Sequence, residues 1–396
     1  MHNTNLDKLV DYPFDRLRDL LKNIEAPKHK TPMIMSLGEP QHPPPPILMK
    51  TINKHADQWA KYPPIAGSPE LLSAIKNWLV QRYGLNPHNI SSTKNIIAVS
   101  GTREALYMAG AISIPPKKYR RQPIVLIPNP FYQVYIGAAL MNRAKPVYMS
   151  ATAETGFLPD FQSLSPETLR RTALAFLCTP SNPQGAIASL KYLKNAILLA
   201  QKYNFVLAID ECYAEIYDKI KPPGGLEASQ ALGSYYKNIL VFQSLSKRSG
   251  APGLRSGFVA GDQDLIQKFK TLRNYGGASI PGPLLAASAA LWRDKKHVEK
   301  NRELYRQKFD CADKVLMGKF DYYRPAGGFY IWLNVGNGEN AASALWEKAG
   351  VRVIPGCYLA RNDVSGQNPG SKFIRIALVQ KPEFIKEALV RITEIL

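Results

Sequence analysis

The sequence predicts an α/β fold of two unequal parts, on three observations. Short, wholly apolar runs of strand length, such as residues 205–209 and 239–242, alternate with longer stretches of helical period. That is the pattern of strands buried on both faces of a parallel sheet and covered by helices. At 396 residues the chain is too long for one comfortable core. From Tyr322 the texture shifts to shorter strands alternating with helices, as in a smaller α+β unit. We therefore expect a large domain over residues 45–290, and a small domain with an N-terminal arm built from residues 1–44 and 291–396.

Bulk properties narrow the class. No apolar run approaches the ~18 residues of a membrane span, and the charged first 21 residues do not read as a secretory signal. The four cysteines, Cys178, Cys212, Cys311 and Cys357, form no C-x-x-C pair, so neither a zinc site nor a disulfide framework is expected and a reducing cytoplasm is. His42, His55 and His88 read as surface residues. The net charge of +20 would allow an anionic partner, but the basic residues are spread along the chain. We read it as solubility and attraction for acidic substrates, with no nucleic-acid or membrane partner.

In chain order, residues 14–24 carry apolar residues at helical spacing, ended by Pro27 and Pro32. A strand at residues 33–35 enters Gly38-Glu39-Pro40 and the rigid run Pro43 to Pro46, which is a lid near a site or a linker. Ser68 caps, and Pro69 opens, a helix reaching Tyr83. The strand 95–99 turns at Ser100-Gly101-Thr102 into a helix over 105–112; that start is a ready anion site or an ordinary cap. Strand 123–127 runs into Asn129-Pro130-Phe131-Tyr132, whose rings stand where open sheets bind ligands or else pack as rim. Strand 174–177 leads to Ser181-Asn182-Pro183-Gln184-Gly185, where two prolines flank the Asn182 amide, and then to a helix over 190–203.

Strand 205–209 ends in Asp210-Glu211-Cys212-Tyr213. A carboxylate there needs a partner, either a cationic ring nitrogen or a local Lys or Arg. Strands 239–242 and 258–260 bracket Ser244-Leu245-Ser246-Lys247 and Arg255. Hydroxyls, glycines and a guanidinium make a phosphate cradle, and a lysine beside it can form a Schiff base with a carbonyl; the alternative is a solvated surface lysine. Residues 273–281 read as a loop, 283–316 as one long polar helix, 328–333 and 373–378 as strands, and 341–349 and 382–396 as helices. Residues 356–370 form a Gly/Asn/Pro-rich loop.

Together, in this order, Tyr62, Ser100-Gly101-Thr102, Asn129-Pro130-Phe131-Tyr132, Ser181-Asn182-Pro183-x-Gly185, Asp210-x-x-Tyr213, Ser244-x-Ser246-Lys247, Arg255 and Arg375 resemble the class I/II aminotransferases of fold type I. The resemblance spans about residues 30–380. It implies a mostly parallel seven-stranded sheet in the large domain and pyridoxal 5'-phosphate as cofactor. Lys247 would tether the cofactor and carry the proton, Asp210 would hold the ring nitrogen protonated, and Tyr213 and Asn182 would bond the ring's 3' oxygen. Tyr132 would stack on the ring. Gly101, Thr102, Ser244, Ser246 and Arg255 would bind the phosphate, with Tyr62 supplied by the neighbouring subunit of a homodimer. Arg375 would take the substrate's α-carboxylate, Asn182 would also contact the substrate, and Gly38 would lie over it. Residues 37–43 and 354–378 further resemble succinyldiaminopimelate aminotransferases. That implies transfer between glutamate/2-oxoglutarate and N-succinyl-diaminopimelate, with Arg361, Arg273 and Arg103 as candidates for the distal carboxylates. An aspartate-, aromatic- or LL-diaminopimelate-type aminotransferase, or a β-lyase, would share the cofactor residues.

Overall fold

The computed structural model describes residues 1–9 and 12–396. Its strands are β1 (Met33–Ile34), β2 (Ile96–Val99), β3 (Ile124–Asn129), β4 (Lys145–Ser150), β5 (Thr172–Cys178), β6 (Val206–Asp210), β7 (Ile239–Ser244), β8 (Gly257–Gly261), β9 (Tyr330–Asn334), β10 (Val351–Arg352), β11 (Ile354–Pro355) and β12 (Phe373–Ala377). Seven of them form one sheet in the order β2-β8-β7-β6-β5-β3-β4. Only β8 runs against the rest of that sheet. This is the α/β class and the mostly parallel seven-stranded sheet expected from the sequence.

Alternation along the strands feeds two cores. Ile96, Ala98, Leu126, Leu207, Ile209 and Val241 face one side, packed by helices Pro69–Tyr83, Leu190–Lys202 and Gly282–Arg293. Val99, Val125, Ile127, Phe176, Ala208 and Phe242 face the other, under helices Thr102–Ser113, Val134–Met141 and Gln263–Gly276. Covering both faces is why these strands read as unbroken apolar runs. In the first core, Trp78 packs 4.7 Å from Trp292 and 6.1 Å from Phe258, centroid to centroid; truncating it to Ala would cost about 3–5 kcal/mol. The Pro69–Tyr83 helix is bounded as expected: Ser68 Oγ accepts the Leu71 N–H at 3.2 Å, and Gly84 ends the helix at φ 62°, where only glycine is unstrained.

A third core joins Met33 and Met35 to Ile331, Leu333, Leu345, Ile374, Ile376 and Leu389. It holds the antiparallel sheet β11-β12-β9 and the parallel pair β1-β10. The N-terminal segment thus enters the C-terminal part of the fold, and the residues after Met35 pass directly over the cleft.

Several local expectations are corrected. The single helix over 283–316 is two, Gly282–Arg293 and Lys296–Leu316. The break occurs because Asp294 turns its carboxylate onto the N–H groups of Lys296 and His297, while Arg248 takes the carbonyls of Leu291 and Asp294. Residues 273–276 finish the Gln263–Gly276 helix rather than forming a loop, because the Arg273 guanidinium is buried against Glu104 and the Ala278 carbonyl. The N-terminal helix runs Pro13–Leu21, stopping before Ile24. Lys247 sits on a one-turn helix, Leu245–Arg248. His42 is half-buried, its Nδ1 bonded to Asn301. Strand β4 escaped the sequence reading because it is an edge strand containing Pro146 and Lys145. No helix among the described residues is long and apolar enough to cross a membrane.

Candidate active site

The carboxyl ends of β3, β5, β6 and β7 open onto one cavity of about 480 Å³, closed on the far side by Gly38, Tyr330 and Arg375. Asp210 is the last residue of β6, in register with Cys178 and Phe242. It is 5% exposed. Its Oδ2 accepts the Tyr135 hydroxyl at 2.8 Å, and its Oδ1 accepts the Cys212 N–H at 3.2 Å. Burial pushes the Asp210 pKa up, and the bonds from Cys212 and Tyr135 pull it part of the way back. These are neutral donors, so the buried carboxylate is set up for a cation the cavity would bring to it.

Lys247 lies in the same cavity. Its Nζ donates to the Gly38 carbonyl at 2.6 Å and stands 5.1 Å from the centre of the Phe329 ring. Burial pulls its pKa down to about 8; Arg375 and Arg103 act in the same direction, and Cys212 and Glu39 oppose them. An amine in that range is partly unprotonated near neutral pH, as a nucleophile or base requires.

An anion cradle lies beside it. The Thr102–Ser113 helix begins under Gly101, whose φ is 88°, and presents free N–H groups to the cavity. Thr102, Ser244, Ser246 and Arg255 line the cavity at this end. A Cβ on Gly101 would overlap the Arg255 guanidinium, so glycine there is what lets the guanidinium close on the helix start. Ser244 Oγ accepts the Ser246 N–H at 3.1 Å, and Thr102 Oγ1 meets Cys212 Sγ at 3.1 Å.

Across the cavity, Arg375 of β12 donates from Nη1 to Asn182 Oδ1 at 3.1 Å and from Nη2 to the Ser36 carbonyl at 2.9 Å. It stacks 4.3 Å over the Tyr330 ring, and its buried Nε has no partner among the described residues. With Oδ1 committed to Arg375, the Asn182 amide keeps its N–H groups for another acceptor. Tyr213 and Tyr330 are joined hydroxyl to hydroxyl at 3.2 Å. A Cβ at Gly38 would overlap the Tyr330 hydroxyl, so only glycine allows the 38–42 segment to lie this low.

The structure thus gathers Gly38, Thr102, Tyr132, Asn182, Asp210, Tyr213, Ser244, Ser246, Lys247, Arg255 and Arg375 around one space. Gly101 stands directly behind Arg255. Tyr62 is fully exposed and away from the cavity. Of the three arginines considered for distal carboxylates, only Arg103 lines the cavity, where it donates to the Tyr132 hydroxyl. Arg273 is buried on Glu104, and Arg361 lies over Phe131. Tyr135 and Tyr330 also line the cavity; their partners Asp210 and Tyr213 lie 75 and 117 residues away, so no local spacing marks these contacts.

This donor set suits pyridoxal phosphate: a helix start with hydroxyls and a guanidinium for the dianion, a buried carboxylate for the ring nitrogen, and a low-pKa amine for the aldehyde. The family model "Aminotransferase class I and II" matches residues 30–392. An aminotransferase structure from Neisseria meningitidis Z2491 superposes with TM-score 0.94 at 40% identity, covering 99% of each chain. An LL-diaminopimelate aminotransferase of Desulforudis audaxviator is 28% identical over 97% of this chain and 95% of its own length. Transaminase BacF of Bacillus subtilis is 28% identical over 100% of this chain and 97% of its own.

Proposed function

The chain belongs to the class I and II aminotransferases, a pyridoxal-phosphate-dependent family, and from that premise we propose how its residues divide the work and which substrates it takes. The observation that carries the reading is the placement of Lys247, Asp210 and Arg375 around one cavity. Bound pyridoxal phosphate would supply an electron sink next to the substrate's α-carbon. Asp210 would hold the proton on the ring nitrogen, with Tyr135 and Cys212 orienting the carboxylate. Tyr213 and the free N–H of Asn182 would donate to the ring's 3' oxygen, and Tyr132 would cover the ring face. Gly101, Thr102, Ser244, Ser246 and Arg255 would hold the phosphate.

Lys247 would tether the cofactor through its amine and, as the free amine, would take up the proton from the substrate's α-carbon. Arg375 grips the α-carboxylate in a two-pronged pair. Gly38 closes over the substrate and helps exclude water. The domains are 45–290 and 1–44 with 291–396, and closure of the second on the first brings Gly38 and Arg375 to the cofactor residues. Tyr62, fully exposed in one chain, reaches the phosphate of a second subunit in a homodimer. The four free cysteines suit a reducing cytoplasm.

Glutamate/2-oxoglutarate and a diaminopimelate derivative are the substrates we assign. Arg103 at the cavity mouth is the cation for a distal carboxylate. The stretches 37–43 and 354–378 favour the N-succinylated form, and the relative named LL-diaminopimelate aminotransferase favours the free LL form. Purified enzyme is assayed with 2-oxoglutarate against N-succinyl-LL-diaminopimelate, LL-diaminopimelate, aspartate and phenylalanine. Highest kcat/KM with either diaminopimelate form supports the reading; preference for aspartate or phenylalanine overturns it.

A further inference from the structure

The carbonyls of Lys247 and Arg248 both accept from one side chain, Asn301 Nδ2, at 3.1 and 3.3 Å. Because two carbonyls fix the NH2 end, the Asn301 oxygen must point the other way, and it lies 3.1 Å from His42 Nδ1. An amide oxygen only accepts, so His42 must carry its proton on Nδ1. Residues 38–42 are thereby hooked at both ends to the Lys247 turn: the Gly38 carbonyl takes the Lys247 amine at 2.6 Å, and His42 takes the amide that holds the Lys247 backbone.

The surroundings make this a directed contact. Asn301, Tyr305 and Lys308 share one face of the Lys296–Leu316 helix. The His42 ring lies 5.0 Å from the Tyr305 ring, and Tyr305 stacks on Phe329 at 5.2 Å, the ring beneath the Lys247 amine. Asn301 is buried. The helix also grips the turn through His297 Nε2, 2.8 Å from Ser249 Oγ.

We propose that His42 and Asn301 form a clasp that couples closure of residues 38–42 to the placement of the Lys247 amine. Both are positioning residues, acting through Lys247 and Gly38. The inference rests on Lys247 being the reacting amine. When the clasp is made, the Gly38 carbonyl and the Lys247 backbone are held to one helix. When it is broken, the lid segment and the amine drift independently, and proton transfer at the α-carbon slows.

The test uses three variants of the holoenzyme. His42→Phe keeps a ring against Tyr305 and loses the donor. His42→Asn places an amide N–H where Nδ1 was and should rescue. Asn301→Leu removes the clasp from the other side. For His42→Phe and Asn301→Leu we expect kcat to fall about tenfold, as mispositioning of a reacting group does, with a larger isotope effect on an α-deuterated donor. In the cofactor-free proteins, amide exchange at Ser249, whose N–H bonds the Leu245 carbonyl across the Lys247 turn, should quicken about tenfold. His42→Asn should restore both. Equal behaviour of His42→Phe and His42→Asn, or wild-type exchange and kcat in His42→Phe, would overturn the clasp. If wild type itself shows no lysine-dependent visible band with pyridoxal phosphate, the assignment of Lys247 fails instead.

Discussion

The Asp210 carboxylate accepts a hydrogen bond from the Tyr135 hydroxyl at 2.8 Å, and the Tyr135 ring is itself stacked on Phe176 at 4.4 Å. A rigid core aromatic therefore orients the buried acid at the end of β6. The acid carries the charge and the phenol only aims it, so their removal should differ. Asp210→Asn should lower kcat about a hundredfold or more, as loss of a preorganised charge does. Tyr135→Phe should lower it less than about tenfold. Steady-state rates on the two purified variants check the order.

Arg375 has a free Nε and a planar face resting on Tyr330. Arg375→Lys keeps the charge and loses the fork. KM for amino donors should rise about a hundredfold, with the melting temperature close to wild type. Unchanged KM would move the carboxylate site elsewhere.

Arg103 is at the cavity mouth and partly exposed, so a pull on a distal carboxylate there would be screened. Arg103→Gln should raise KM for glutamate about fivefold and leave KM for alanine unchanged. The ratio of the two, measured at low and moderate salt, reads the effect.

Lys308 is 1% exposed, donates to the Val379 carbonyl, and is pushed down by burial to about 7. The unfolded lysine stays protonated to about 10.4, so between these values the unfolded chain binds the extra proton and stability rises with pH. Lys308→Met lacks that gain. From pH 7 to 9 wild type should gain about 2–3 kcal/mol over the variant in urea unfolding, whatever constant offset the lost Val379 bond adds.

What could be read from the sequence was local. Lys247 and Asp210 each follow an apolar strand directly, and the end of a buried strand is a position a linear pattern reports. Ser68 and Gly84 bound their helix by rules that act over a few residues. What escaped was either an interruption made by tertiary contact or a pairing across the chain. Asp294 breaks a helix whose composition would continue, because Arg248 takes the carbonyls there. Tyr135 meets Asp210 across 75 residues, Tyr213 meets Tyr330 across 117, and His42 meets Asn301 across 259. No spacing in a single sequence encodes such partners. The resemblance supplied the roles of residues whose contacts periodicity could not.

The most direct test of the central claim is chemical trapping. Wild-type protein is loaded with pyridoxal phosphate, reduced with borohydride, digested and mapped by mass spectrometry. The expected result is one phosphopyridoxyl group, on Lys247, and none in Lys247→Ala treated alike. A label on another lysine, or undiminished transaminase turnover in Lys247→Ala, would contradict the account.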